Sequence, residues 1–135
     1  MIIAFDSCTV ENNEINNPSG MTPEETVERY FEYWQDKNSK GIDSLVYKSM
    51  QGVNYEMERL NSITLNSCEE RTEKIEWYQP WYPNPYDNTC VDVSFTTDYE
   101  GGCGSGHVNG IQEVQYYLVK ETDDSDWIIV MWGVG

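Results

Sequence analysis

The sequence predicts an α+β domain: a long N-terminal helix and a short one packed on a curved antiparallel sheet of four strands or slightly more. Three observations carry that reading. A helical stripe of very large apolar side chains begins after Met21, and the hydrophobic period changes from about 3.6 to 2 beyond Ile63. Helices come first and strands afterwards, the order of an α+β chain with its helices on one sheet face. The chain is 135 residues long with 13% aromatic residues, so one well-filled core is expected rather than disorder.

The first helix starts at Thr22-Pro23-Glu24-Glu25, a capping box with proline at the first helical position. Val27, Tyr30, Phe31 and Trp34 follow at i, i+3, i+4 and i+7, one apolar stripe that must be covered by other elements. Lys37 and Lys40 suit the negative end of the helix dipole, and Gly41 is the expected C-cap, which predicts a helix over 23–40. A second, shorter helix is expected from 43 to 52, with Leu45, Val46 and Met50 inward and Gly52 as its stop.

Four strands follow. Ile63 and Leu65 alternate with polar residues, as do Val91, Val93 and Phe95, and then Val114, Tyr116 and Leu118 alternate with Gln115, Tyr117 and Val119. The last run, 127–132 (WIIVMW), is apolar on both faces. A tight turn at Thr122-Asp123-Asp124-Ser125 and a glycine-rich loop at 100–110 connect the later strands, so an antiparallel meander is the simplest topology. Residues 1–20 read as a polar tether or a truncated export-signal remnant, and 21–135 as a single domain without internal repeats.

The balance of 24 acidic against 8 basic residues gives a net charge of -16. Nucleic-acid binding depends on neutralising phosphates with Lys and Arg, so DNA, RNA and anionic membrane surfaces are poor partners. A solvated, repulsive surface explains the charge, and a cationic or basic partner is the sharper alternative. There is no apolar run of about 18 residues, so no spanning helix is expected. Residues 1–8 (MIIAFDSC) look like the end of a hydrophobic export segment stopping at Cys8, a candidate for lipid attachment. The apolar part is short, lacks a basic start and carries Asp6, which fits a fraying N-terminus equally well. An extracytoplasmic location is the expectation, with the cytoplasm as the alternative. Cys8, Cys68, Cys90 and Cys103 have no zinc-ligand spacing. In an exported protein one disulfide among Cys68, Cys90 and Cys103 is expected; in the cytosol all stay thiols.

The segment TPEETVERYFEYWQDKNSKGIDSL, together with the closing DWIIVMWG at 126–133, resembles the nuclear-transport-factor-two-like superfamily of cystatin-like, cone-shaped α+β domains. Within it the chain is most similar to a group of small secreted or lipid-anchored bacterial domains. The resemblance spans roughly 21–133 and weakens between 52 and 88. It implies a sheet bent around the long helix with a pocket at the open end of the cone. It implies no single activity, because one fold hosts many unrelated functions.

Enzymes of this superfamily place an Asp or His base and Tyr or Asp acids in the cone, where burial raises carboxyl pKa values. Tyr30, Asp92 and Tyr116 are the weak catalytic candidates here, although Tyr30 also reads as core and Asp92 as the polar side of its strand. His107, the only histidine, falls in the glycine-rich loop and would need that loop to fold over a pocket. Asp123, Asp124 and Asp126 could suggest calcium, but turn chemistry explains them without an ion, so no metal or cofactor is expected.

The stretch 77–86 (WYQPWYPNPY) is the strongest binding feature. Prolines at 80, 83 and 85 keep it out of a central strand and make it a stiff loop between the first two strands. Trp77, Tyr78, Trp81, Tyr82 and Tyr86, with Trp34 from the helix, are the expected ligand contacts, able to stack on a glycan, a proline-rich peptide or a small apolar molecule. The same rings could instead complete the core. The leading expectation is a non-catalytic binding or interaction module, monomeric or homodimeric. An isomerase- or dehydratase-type enzyme and a self-associating structural domain are the alternatives.

Overall fold

Thr22 opens the first helix as expected. In the computed structural model, which describes residues 14–71, 85–101 and 109–133, helix α1 spans Pro23–Gln35. The Glu25 N–H donates to Thr22 Oγ1 (3.1 Å) and the Thr22 N–H to Glu25 Oε1 (2.9 Å), so the capping box satisfies donors at both ends. Val27, Tyr30, Phe31 and Trp34 are buried along one face.

The helix is shorter than the expected 23–40. Lys37 turns left-handed at φ 59, its N–H donates to Trp34 O (3.0 Å), and the Asn38 N–H donates to Tyr33 O (2.8 Å). These are the two bonds of a Schellman stop, made here around a lysine instead of a glycine. Asn38 then caps the next helix, α2 (Ser39–Asp43), by accepting from the Gly41 N–H at 2.9 Å. Gly41 is therefore inside α2 and is not the C-cap of α1. It lies against the Tyr33 ring, where a Cβ would clash.

The second helix also differs from the expected 43–52. Leu45 and Val46 are buried as anticipated, but the backbone around them is drawn to the sheet: the Tyr47 N–H donates to Ile129 O (2.7 Å) and the Ile129 N–H to Leu45 O (2.9 Å). Hydrogen bonds taken by a strand are lost to a helix, and only a 3-10 turn at Lys48–Met50 follows. A second 3-10 turn, Met57–Arg59, leads into the sheet.

Strands β1 (Leu60–Glu70), β2 (Asp87–Tyr99), β3 (Gly110–Lys120) and β4 (Trp127–Gly133) form one antiparallel sheet in the order β1-β2-β3-β4. The molecule is thus α+β, with helices packed against one face of a curved open sheet. Two-residue alternation sends Val91, Val93, Phe95 and Tyr99 of β2, and Val114, Tyr116 and Leu118 of β3, into the helix-side core. The reverse side of β4 holds a small cluster of Val119 and Val130 with Tyr47, Tyr117, Ile128 and Met131, which accounts for its two-sided apolar run. Residues 14–20, expected to be part of a tether, lie against the body. Asn38 Nδ2 donates to Glu14 O (2.6 Å), Tyr33 Oη donates to Asn17 Oδ1 (2.6 Å), and the Gly20 N–H reaches Asp126 Oδ1 (3.3 Å).

Candidate functional site

The interior on the helix side is closed by aromatic rings. Helix α1 supplies Tyr30, Phe31 and Trp34 from successive turns; β2 supplies Phe95 and Tyr99, β3 supplies Tyr116, and the chain before the second 3-10 turn supplies Tyr55. Phe31 and Trp34 stack at 14° with centroids 5.7 Å apart, and Tyr30 lies 5.3 Å from Tyr116. Phe95 sits 4.9 Å from Phe31. Such edge and offset contacts add to the burial energy of each ring.

The hydroxyls inside this core are matched to one another. Tyr30 Oη and Tyr55 Oη share a hydrogen bond of 3.0 Å, Tyr99 Oη donates to Tyr55 O (2.8 Å), and Trp34 Nε1 donates to Tyr99 Oη (3.2 Å). Burial pushes the pKa of Tyr30 well above the ordinary phenol range, with the neighbouring Tyr116 and Tyr55 adding to the shift, and it raises Tyr116 as well. Phenols so desolvated stay protonated and serve as hydrogen-bond partners, not as bases.

Of the three weak catalytic candidates, the structure brings Tyr30 and Tyr116 together and leaves Asp92 apart. Asp92 alternates with the buried Val91 and Val93 and faces the opposite side of the sheet, where Arg71 Nε holds both its oxygens at 3.0 and 3.2 Å. One carboxylate does lie at the rim of the tyrosine cluster. Glu56 is buried at φ 51, and Arg59 Nη1 engages its Oε1 at 2.6 Å. Arg59 also donates to Glu100 O from Nη2 (2.8 Å), so Glu56 and Arg59 clasp the start of β1 to the end of β2. A carboxylate committed to an arginine through so short a charge-assisted bond serves as a structural pair.

Trp34, an expected ligand contact, is only 4% exposed and has its Nε1 occupied, so it belongs to the core. Tyr86 is 59% exposed, and its hydroxyl binds the Asp123 carboxylate, which raises its pKa. Trp77, Tyr78, Trp81 and Tyr82 lie outside the described residues, as do Cys8, Cys103 and His107. Cys68 and Cys90 are free thiols on opposite faces of the sheet and cannot pair with each other. Cys68 packs against the helix-side core and its pKa is pushed up to about 12, chiefly by burial and then by Glu28 and Glu24. Such a thiol is a poor nucleophile.

At the β3–β4 turn, Ser125 Oγ accepts from the Thr122 N–H (2.9 Å) and donates to Thr122 O (3.0 Å). Asp126 accepts from Gly20, so the aspartates here do not converge. Among the described residues no group of three His, Cys, Asp or Glu side chains is arranged to hold a metal, and no helix is long and apolar enough to cross a membrane.

Sequence reasoning missed Tyr55, Tyr99, Asn38 and Glu56. Tyr99 was within reach, because the alternation of β2 continues through it; the other three sit in turns whose partners are distant in sequence. Grooves lie on the surface of the described residues. A groove of about 420 Å³ crosses the reverse face of the sheet among Glu69, Asp92, Ser94 and Glu113. A second, of about 360 Å³, runs between α1 and β1, lined by Glu28, Phe31, Glu32, Gln35 and residues 63–65.

Comparison with curated proteins and with solved structures returns no match. Residues 24–133, from the first turn of α1 to the last residue of β4, match the family described as Domain of unknown function (DUF4829). By that match over most of its length, the chain belongs to the DUF4829 family.

Proposed function

We propose that the domain is a non-catalytic interaction module, working outside the cytoplasm and binding a peptide, a glycan or a small apolar ligand through surface rings and grooves. The observation that carries this reading is the filled interior. Tyr30, Phe31, Trp34, Phe95 and Tyr116 occupy the space where an enzyme with this architecture would hold substrate. The Tyr30 hydroxyl is matched by Tyr55 and the Trp34 indole N–H by Tyr99, and Glu56, the buried carboxylate at the rim of the cluster, is bound by Arg59. In this reading the fold is a closed variant of the nuclear-transport-factor-two-like cone. The contacts are Trp77, Tyr78, Trp81, Tyr82 and the exposed Tyr86, and Cys8 is the point of attachment to a lipid.

The test is a thermal-shift series with three probes: a short chitin oligosaccharide, a proline-rich decapeptide and laurate. Ligand binding to the folded state raises the melting temperature by mass action. At least one probe is expected to stabilise the wild-type protein, and the Trp77→Ala/Trp81→Ala variant to lose that shift. Tyr30→Phe should keep it. No shift with any probe, or an equal shift in the double tryptophan variant, overturns the reading.

A further inference from the structure

We propose that the channel between α1 and the outer edge of β1 accepts an extended, basic peptide segment as an added strand. The inference rests on the reading of the domain as an interaction module but is carried by other residues than the aromatic stretch.

β1 is an edge strand of the sheet, eleven residues long, with a neighbour on one side only among the described residues. An edge strand presents backbone N–H and C=O groups to any chain that can lie alongside it. The direction of these groups can be read from a side chain that uses one of them. Gln35 Nε2 donates to Ile63 O at 3.1 Å, so Ile63 turns its carbonyl away from β2 and toward α1. Farther along, the Glu70 N–H points the same way and donates to Glu24 Oε2 at 2.7 Å. Helix α1 thus plugs the edge at two places with side chains. Between the plugs lies Leu65, whose backbone by alternation faces the same way as that of Ile63.

The space there is already shaped for an occupant. The groove of about 360 Å³ has β1 as one wall and α1 as the other, with Phe31 and Leu65 as apolar lining and Glu28 and Glu32 above them. A strand added at a sheet edge gains affinity from main-chain hydrogen bonds and specificity from alternate side chains. Here alternate residues would meet an apolar strip on one side and two carboxylates on the other. Glu32 is paired with Arg29 at 3.0 Å, whereas Glu28 is crowded by Glu24, Glu25 and Glu32. Burial first and these neighbours second raise the Glu28 pKa, and an incoming Lys or Arg would offset the repulsion among the carboxylates. A second copy of this chain, at net charge -16, would aggravate them, which favours a basic partner over self-pairing.

The test uses the full chain and three fluorescein-labelled hexapeptides, read by anisotropy and by amide proton exchange. Lys-Val-Lys-Val-Lys-Val is the probe. Lys-Pro-Lys-Pro-Lys-Pro has the same charge but cannot pair along an edge, and Glu-Val-Glu-Val-Glu-Val reverses the charge. The first is expected to bind at least about tenfold more tightly than either control and to slow exchange of the Leu65 N–H. Glu28→Lys should weaken it about tenfold with an unchanged circular dichroism spectrum. Gln35→Ala, which frees Ile63 O, should leave binding equal or tighter.

Equal binding of the proline peptide would reduce the effect to charge alone and overturn the proposal. Perturbations centred on Asp92 and Glu113 would move the site to the reverse face and also overturn it, as would the absence of binding. Binding lost in Trp77→Ala/Trp81→Ala but kept in Glu28→Lys would overturn this groove while leaving the interaction reading in place.

Discussion

Gly41 shows how one residue can carry a different meaning in the sequence and in the fold. Read locally, a glycine after Lys37 and Lys40 is a helix stop. In three dimensions the stop falls four residues earlier, at Lys37, and Gly41 is retained inside α2 because the Tyr33 ring occupies the place of its Cβ. Its backbone is not in the left-handed region, so the constraint is space and not conformation. Gly41→Ala is accordingly expected to destabilise the protein by about 1–3 kcal/mol, the cost of overpacking a filled site, although alanine is the better helix former. Urea denaturation gives the sign directly, and a neutral or stabilising result would show that Tyr33 moves aside freely. Tyr33 cannot easily do so, because its hydroxyl is fixed between the Asn16 N–H (2.9 Å) and Asn17 Oδ1 (2.6 Å). None of this was legible from the sequence, since the glycine's partner is eight positions away and the strap that fixes that partner is polar and without period.

At the scale of elements, the stripe of α1 and the alternation of β2 and β3 were legible because large apolar side chains at a regular spacing have one way to be buried. The same regularity hid the way in which the tyrosine hydroxyls are reconciled with that burial. Tyr30 and Tyr116 come from elements that each look like plain core, and Tyr55, which binds Tyr30, comes from a turn with no pattern at all. The cluster has a thermodynamic consequence. Tyr30, Tyr55, Tyr99 and Tyr116 all have folded-state pKa values raised above 10.0, with burial the largest cause in each case. In the unfolded chain these phenols ionise near the ordinary value, whereas in the folded protein they keep their protons. Their contribution to stability is therefore complete below about pH 10 and is lost as pH rises above that, because the unfolded state sheds protons first. Stability measured by urea denaturation should fall more steeply between about pH 10 and 11.5 in wild type than in Tyr30→Phe/Tyr116→Phe. Equal slopes would mean that the two rings are open to water in the native state.

At the scale of the whole molecule, an open four-stranded sheet has two edges, and each is handled differently. The β1 edge carries two register shifts and is plugged by Glu24 and Gln35. The β4 edge is covered at Ile129 by residues 45–47. Bulges and covering segments are the usual protections of an edge against indiscriminate pairing. The order of helices and strands, and hence the α+β class, could be read from the sequence because it depends only on where the hydrophobic period changes. The grooves could not, since they arise from elements distant in sequence, with Glu28 and Glu32 meeting residues 63–65 and Asp92 meeting Glu113. These meetings gather acidic groups on a chain that already carries a net charge of -16, so mutual repulsion opposes the folded state more than the unfolded one, where the same charges are farther apart. Sodium chloride should then stabilise the protein at concentrations that act by screening. The Debye length falls from about 30 Å at 0.01 M to about 8 Å at 0.15 M, which reaches across the grooves but leaves contact pairs such as Arg71–Asp92 largely intact. The melting temperature at pH 7 is expected to rise by a few degrees over that range. It should rise less in a Glu28→Gln/Glu113→Gln variant, whose starting temperature at low salt should be the higher of the two. A melting temperature that stays level or falls with salt would mean that favourable ion pairs, and not repulsion, dominate the surface, and the case for a cationic occupant in the α1–β1 channel would lose its electrostatic half.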